Sequence, residues 1–208
     1  MNDPVQINIA ISKPAEGVLQ AVYLAHDDQK IPLIQQLIED KPSYKSIIIF
    51  CARKKQVYSI VRALKSKDYV VEGVSSDYEQ KEREAVLANF KSKKTRIVVA
   101  TDVLSRGIDI KDINLVINYD VPSNAEDYVH RVGRTARADT TGVALTLVNE
   151  DDMRDFHEIE QLIEREIVKL MPPPGIGQGT KWNPQKSKKR SYRKPKSKKS
   201  GKRYKRRN

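Results

Sequence analysis

The chain has one cysteine and three histidines in 208 residues. A single cysteine, Cys51, excludes an intrachain disulfide and any zinc site built on paired cysteines. Cys51 ends the apolar run Ile47-Ile48-Ile49-Phe50, which is the setting of a buried thiol rather than of a nucleophile. His26, His130 and His157 are too widely spaced to suggest a metal-ligand motif, so no metal is expected on this chain. No apolar run approaches the length of a membrane span, and no membrane partner is expected. The amino terminus, Met-Asn-Asp-Pro, lacks the basic-then-apolar pattern of a secretory signal, and a reducing cytoplasm is the expected location.

The final stretch lacks charge of one sign altogether. Residues 181–208 hold 15 of the 39 Lys/Arg and none of the 27 Asp/Glu, which leaves residues 1–180 with 24 against 27, or about −3. The overall charge of +12 therefore belongs to the tail. A segment of this composition cannot bury a core, and disorder is expected. Its expected partner is a polyanion, with RNA the best fit, and a solubilising or targeting role is the alternative. Trp182, Tyr192 and Tyr204 are interleaved with the charge, where they could stack on bases. Pro172-Pro173-Pro174 and Gly175, Gly177 and Gly179 mark the exit into it. The expected organisation is an N-terminal segment over 1–17, one domain over 18–171, and a linker with disordered tail over 172–208.

Within the body, short β-branched runs alternate with amphipathic stretches. Val5–Ile11, Val18–Leu24, Ile47–Cys51, Tyr69–Val74, Arg96–Ala100, Leu115–Tyr119 and Gly142–Val148 read as strands. Lys30–Glu39, Lys55–Ser66, Glu79–Phe90, Ala125–Arg131 and Asp151–Glu166 read as helices, with Pro32 suited to the first turn of the first. This alternation predicts an α/β fold, a parallel sheet flanked by helices. Ligands of such sheets bind beyond the carboxyl ends of the strands.

Several segments carry candidate chemistry, and most of them follow predicted strands. Residues 130–137 read His-Arg-Val-Gly-Arg-Thr-Ala-Arg. Arg134 and Arg137 are three apart, so one helical turn could aim both guanidiniums at phosphate oxygens. A solvated basic turn is the plainer alternative. In the segment Ala100–Asp109, the Thr101 hydroxyl could hold a phosphate, Gly107 permits close backbone approach and Asp109 could accept from sugar hydroxyls. Taken alone, the same residues could simply start and end a short helix. Gln80 and Arg83 share a face in the first turns of a helix whose dipole favours an anion, or form part of a solvated face. Arg53-Lys54-Lys55 places basic residues just past a buried strand.

Taken in order, these segments resemble the second RecA-like domain of DEAD-box RNA helicases over about residues 18–170. Ile47–Lys55 is similar to the family's motif IV, and Gln80 with Arg83 to its Q-x-x-R. Ala100–Asp109 is similar to motif V with its R-G-x-D, and His130–Arg137 to motif VI, H-R-x-G-R-x-x-R. Leu162–Pro172 resembles the close of this domain. Ser75-Ser76-Asp77 stands where the family often has His-Gly-Asp, Arg53 where a Thr or Ser usually precedes the basic residues, and Ala136 where Gly is frequent.

The resemblance implies ATP as the nucleotide. Arg134 and Arg137 would reach its terminal phosphate and stabilise charge developing in phosphoryl transfer. Asp109 would contact the ribose. His130 and Arg131 would link the nucleotide cleft to the RNA side. Thr101, Gly107, Gln80 and Arg83, with Arg53 or Lys54, would form or support an RNA backbone site that is largely sequence-independent. The sequence has no G-x-x-x-x-G-K-S/T phosphate loop and no Asp-Glu-Ala-Asp. In this family both lie on a first RecA-like domain, which would hold Mg²⁺ and position the attacking water. The expectation is a C-terminal helicase half, inactive in ATP hydrolysis alone; a free-standing, non-catalytic RNA-binding or annealing protein is the alternative.

Overall fold

The computed structural model describes residues 17–39, 41–102, 113–135 and 142–186. The expected strand Val5–Ile11, Gly107, Asp109, Arg137, Tyr192 and Tyr204 lie outside them. Strands and helices alternate as β1 (Val18–Leu24), α1 (Asp27–Glu39), β2 (Ile47–Phe50), α2 (Lys54–Lys65), β3 (Val71–Val74), α3 (Gln80–Lys91) and β4 (Ile97–Ala100). After β5 (Leu115–Asn118) come α4 (Ala125–Val132), a 3₁₀ turn over Gly133–Thr135, β6 (Gly142–Val148), α5 (Met153–Leu162) and β7 (Val168–Leu170). The sheet has seven strands in the order β3-β4-β2-β5-β6-β1-β7, and every pairing is parallel.

The pleat sorts the core into two layers. Ile47 and Ile49 of β2 join Leu33, Ile34 and Ile38 of α1 and Val57, Ile60 and Leu64 of α2. Ile48 and Phe50 point the other way, toward Val86, Leu87 and Phe90 of α3, Tyr128 of α4 and Phe156 of α5. Central strands β2, β4 and β5 are buried at every position, as a parallel sheet covered on both faces requires. Each fully buried Ile or Phe contributes roughly 2 kcal/mol, so these four-residue strands hold register by packing rather than by length.

Three elements differ from the sequence-based expectation. Helix α1 starts at Asp27, not Lys30, because the Gln29 side chain accepts from His26 N at 3.0 Å and caps an earlier turn. Pro32 consequently lies in the second turn rather than the first. Helix α5 stops at Leu162 instead of running to Glu166. Glu164 adopts a left-handed φ of 53°, and the buried Glu160 carboxylate accepts from Ile167 N and Lys169 Nζ, both at 2.6 Å, which turns the chain back into the edge strand β7. No such strand was expected there.

The third difference is the exit segment. Residues 172–186 are not a free linker. Gln29 Nε2 donates to the carbonyls of Ile176 and Gln178 at 3.3 and 3.1 Å, and Thr180 N donates to the Leu24 carbonyl at 3.2 Å. Gly179 passes so close to β1 that a Cβ would lie 1.9 Å from that carbonyl oxygen. Trp182, expected as a base-stacking residue of the tail, instead packs edge-on against Phe156 and His157. The Lys169 ammonium lies 4.8 Å from the centre of its ring. A ring with packing partners on the domain outcompetes a solvated one, which is why the ordered strap runs past the first tail lysine.

Candidate functional site

The carboxyl ends of β2, β3, β4 and β5 form one rim. At the end of β2 the chain turns through Cys51, Ala52 and Arg53 into α2. Arg53 sits at the N-cap position with extended backbone and an exposed side chain, and its amide donates to Gln56 Oε1 at 2.9 Å. Beside it Lys54 Nζ lies 2.9 Å from Asp77 Oδ1, in the loop after β3. That bond raises the Lys54 pKa from its ordinary value, so the ammonium stays charged. Of the two basic residues of this turn, Lys54 already has a carboxylate partner. Cys51 is buried, and burial pushes its thiol up to about 12, which keeps it protonated and inert at neutral pH.

On the first turn of α3, Arg83 reaches back to the loop after β3. Its Nε donates to the Tyr78 carbonyl at 3.0 Å and its Nη2 to the Ser76 carbonyl at 3.4 Å, so it braces the loop that carries Asp77. Gln80 is exposed on the first turn of α3 and donates to Glu84 Oε1 at 2.8 Å. Thr101 follows β4, half-buried, with its amide bonded to the Val74 carbonyl at 3.3 Å. The rim therefore brings together Arg53, Lys54, Gln80, Arg83 and Thr101.

Arg131 ties this rim together, and it is 1% exposed. Its Nε and Nη2 donate to Asp102 Oδ1 at 2.8 and 2.6 Å. Its Nη1 donates to Asn118 Oδ1 at 3.1 Å and to the Asp120 carbonyl at 3.3 Å. The guanidinium carbon stands 5.1 Å from the Phe50 ring centre. Asp102 follows β4, Asn118 ends β5, and β2 lies between those strands. One guanidinium thus spans three strand ends. A buried charge is tolerated because each of its hydrogen-bonding edges has an acceptor.

Arg134 lies elsewhere. Its carbonyl accepts from Ile113 N at 3.3 Å, just before β5, and the adjoining Thr135 packs on Gly142, the first residue of β6. Helix α4 follows β5, so the Arg131 guanidinium meets the carboxyl end of β5 while the Arg134 main chain meets the residue before its amino end. His130 is exposed on α4, one residue before Arg131. Among the described residues no three His, Cys, Asp or Glu side chains are grouped to hold a metal ion. No described helix is long and apolar enough to cross a membrane.

Sequence reasoning missed Gln56, Asp77, Asp102, Asn118 and Asp120. The available signal was two polar residues, Asn118 and Asp120, at the end of a strand that is apolar until that point.

The chain matches the helicase conserved C-terminal domain over residues 29–139. It is 37% identical over 179 residues to the ATP-dependent RNA helicase eIF4A of Scheffersomyces stipitis, an alignment covering 85% of this chain and 44% of the relative. Among solved structures, it is similar to a DEAD box protein from Methanococcus jannaschii, with 34% identity and a TM-score of 0.70 over 74% of this chain and 42% of that one. It is also similar to S. cerevisiae Dbp5 bound to RNA and ADP BeF3, with 26% identity and a TM-score of 0.70 over 76% of this chain and 43% of that one. The chain thus spans less than half the length of these relatives. With the parallel sheet and the motifs placed as described, the chain belongs to the helicase conserved C-terminal domain family, as the second RecA-like domain of a DEAD-box helicase.

Proposed function

We propose that this chain is the C-terminal half of an ATP-dependent RNA helicase that opens short RNA duplexes. The observation that carries the reading is the position of Arg131. It joins the rim of basic and hydroxyl side chains to the helix whose far end presents Arg134. A rim at one end and an arginine at the other suit a domain with two ligands on two edges.

On the rim, Arg53 would hold an RNA phosphate, since Lys54 is already engaged by Asp77. Lys54 would join when a phosphate replaces that carboxylate. Thr101 and Gln80 would contact the backbone, with Gly107 allowing close approach and Arg83 bracing the loop beneath. Readout through phosphate and sugar makes binding largely independent of sequence. At the other edge, Arg134 and Arg137 would meet the terminal phosphate of ATP and Asp109 its ribose, with His130 between the two edges. As water displaces ADP from the γ-phosphorus, the electrons of the broken P–O bond pass to the ADP oxygen and charge is spread over the transferred oxygens, and the two guanidiniums would stabilise that charge. Mg²⁺ and the attacking water would be held by the first RecA-like domain. The Dbp5 relative, solved with RNA and with ADP BeF3, in which beryllium fluoride stands for the terminal phosphate, supports the pairing of ligands. A lone, buried Cys51 suits a reducing compartment, and the cytoplasm is the proposed location.

ATP and RNA, each bridging two domains, would favour the same closed form and so strengthen one another's binding. The test is steady-state ATP hydrolysis with saturating RNA. The chain alone is expected to be inactive and to gain RNA-stimulated turnover when joined to a first RecA-like domain. Full turnover by the chain alone, or none after joining, would overturn the reading.

A further inference from the structure

We infer that Asp120 and Gln56 are positioning residues that couple the Arg53 turn to Arg131, so that RNA held at the rim is sensed on helix α4. The inference rests on the proposed RNA site at the rim and goes beyond it.

Asp120 follows β5 and is 4% exposed. Its side chain serves the turn after β2: Oδ2 accepts from Ala52 N at 2.7 Å and Oδ1 from Gln56 Nε2 at 3.1 Å. Its main-chain carbonyl serves α4, accepting from Arg131 Nη1 at 3.3 Å. The same residue is therefore bonded to both segments. Gln56 extends the link, since its Oε1 accepts from Arg53 N at 2.9 Å. Two consecutive amides of the phosphate-binding turn, Ala52 and Arg53, are thus fixed through one carboxylate.

Helix propensity alone would not hold this turn. Arg53 lacks the short oxygen-bearing side chain that caps a helix start, so the turn depends on the Gln56 and Asp120 acceptors. The bonds to Asp120 are charge-assisted and shielded from water, which makes them stiff. While the Arg131 bond to the Asp120 carbonyl holds, displacing Arg131 moves Asp120, and that movement reaches Ala52 directly and Arg53 through Gln56. Coupling of this kind is reciprocal: RNA on Arg53 biases Arg131, which lies one turn before Arg134.

The test uses the full chain, labelled with ¹⁵N and titrated with single-stranded oligouridylate. The reporters are the amides of Ala52 and Arg53 and the Nε of Arg131. In the unaltered chain, RNA is expected to shift all three. Gln56→Leu removes both side-chain bonds at similar size. It is expected to weaken affinity at the Arg53 turn about fivefold, the worth of one net hydrogen bond, and to abolish the RNA-induced shift at Arg131 Nε. Asp102→Asn perturbs Arg131 from the opposite side and is expected to shift the Ala52 and Arg53 amides with no RNA present. A purely structural role would leave those amides in place. Unmoved amides in Asp102→Asn, or an undiminished Arg131 Nε shift in Gln56→Leu, would overturn the coupling. An unaltered oligouridylate-induced shift of the Ala52 amide in Arg53→Ala, a reading local to the rim, would instead overturn the RNA reading of the rim, and the inference with it.

Discussion

Arg131 and Arg134 are three residues apart, yet the Arg131 guanidinium meets the carboxyl end of β5 and the Arg134 main chain the residue before its amino end. Arg131 is buried and makes four hydrogen bonds across the ends of β4 and β5. Arg134 is half-buried, and its backbone closes on Ile113 beside the start of β5. A guanidinium with its donors internally satisfied cannot also grip a phosphate without vacating its site, so Arg131 is a strut. The guanidinium proposed for the nucleotide is that of Arg134, three residues on. A run of like residues is therefore one feature in the sequence and two in the fold.

Changes at the two ends should separate stability from chemistry. Asp102→Ala removes the carboxylate from Arg131 and leaves a buried guanidinium short of an acceptor. Stability is expected to fall by about 2 kcal/mol in urea unfolding, less than for a pair buried on both sides, because the Asp102 side chain is 35% exposed and water can partly replace it. A loss within experimental error would mean that Arg131 is solvated and the comparison fails. Trp182→Ala, at the far corner of the sheet, removes a half-buried aromatic from Phe156 and is expected to cost about 2 kcal/mol. The amides around Arg53 should not move with it. If they do, the strap and the rim are one unit rather than two.

Truncation after Lys186 should leave the melting temperature unchanged while flattening the salt dependence of RNA binding. Residues 187–208 carry 13 Lys/Arg. For about six phosphates neutralised on a single strand, log affinity should fall with log salt at a slope near roughly −4 in the full chain. An unchanged slope after truncation would move the dominant contacts onto the rim. The smallest effect is expected for Lys54→Ala, whose exposed pair with Asp77 is screened. Its melting temperature should match the unaltered chain, and a clear drop would make that pair part of the fold.

How much of this was legible in the sequence depended on whether local pattern or distant contact decided each feature. The bounds of β1 and β6 matched the expectation because β-branched runs flanked by turn residues fix them locally. The two-face burial of β2 was likewise visible in Ile47–Phe50. β7 was not visible, because it has three residues and Val168 is exposed at the sheet edge, so no apolar pattern announces it. The end of α5 is set by Glu160 reaching forward to Ile167 and Lys169, and no glycine or proline marks it. The strap was read as a linker from its prolines and glycines, yet Gly179 is there to pass within contact of Leu24, a residue about 150 positions away. At the site, the residue types were legible but their partners were not. That Arg131 would be buried, and that Asp120 would serve the turn after β2, follows from strand order, which motif spacing does not encode.

The most direct test of the account is ATP hydrolysis by Arg134→Ala in the chain joined to a first RecA-like domain, with saturating RNA. Turnover is expected to fall by about a thousandfold, the scale of an arginine that stabilises transferring phosphoryl, with unfolding stability unchanged. Undiminished turnover in a folded Arg134→Ala protein would contradict the assignment of Arg134 to ATP, and with it the division of labour between the two ends of the sheet.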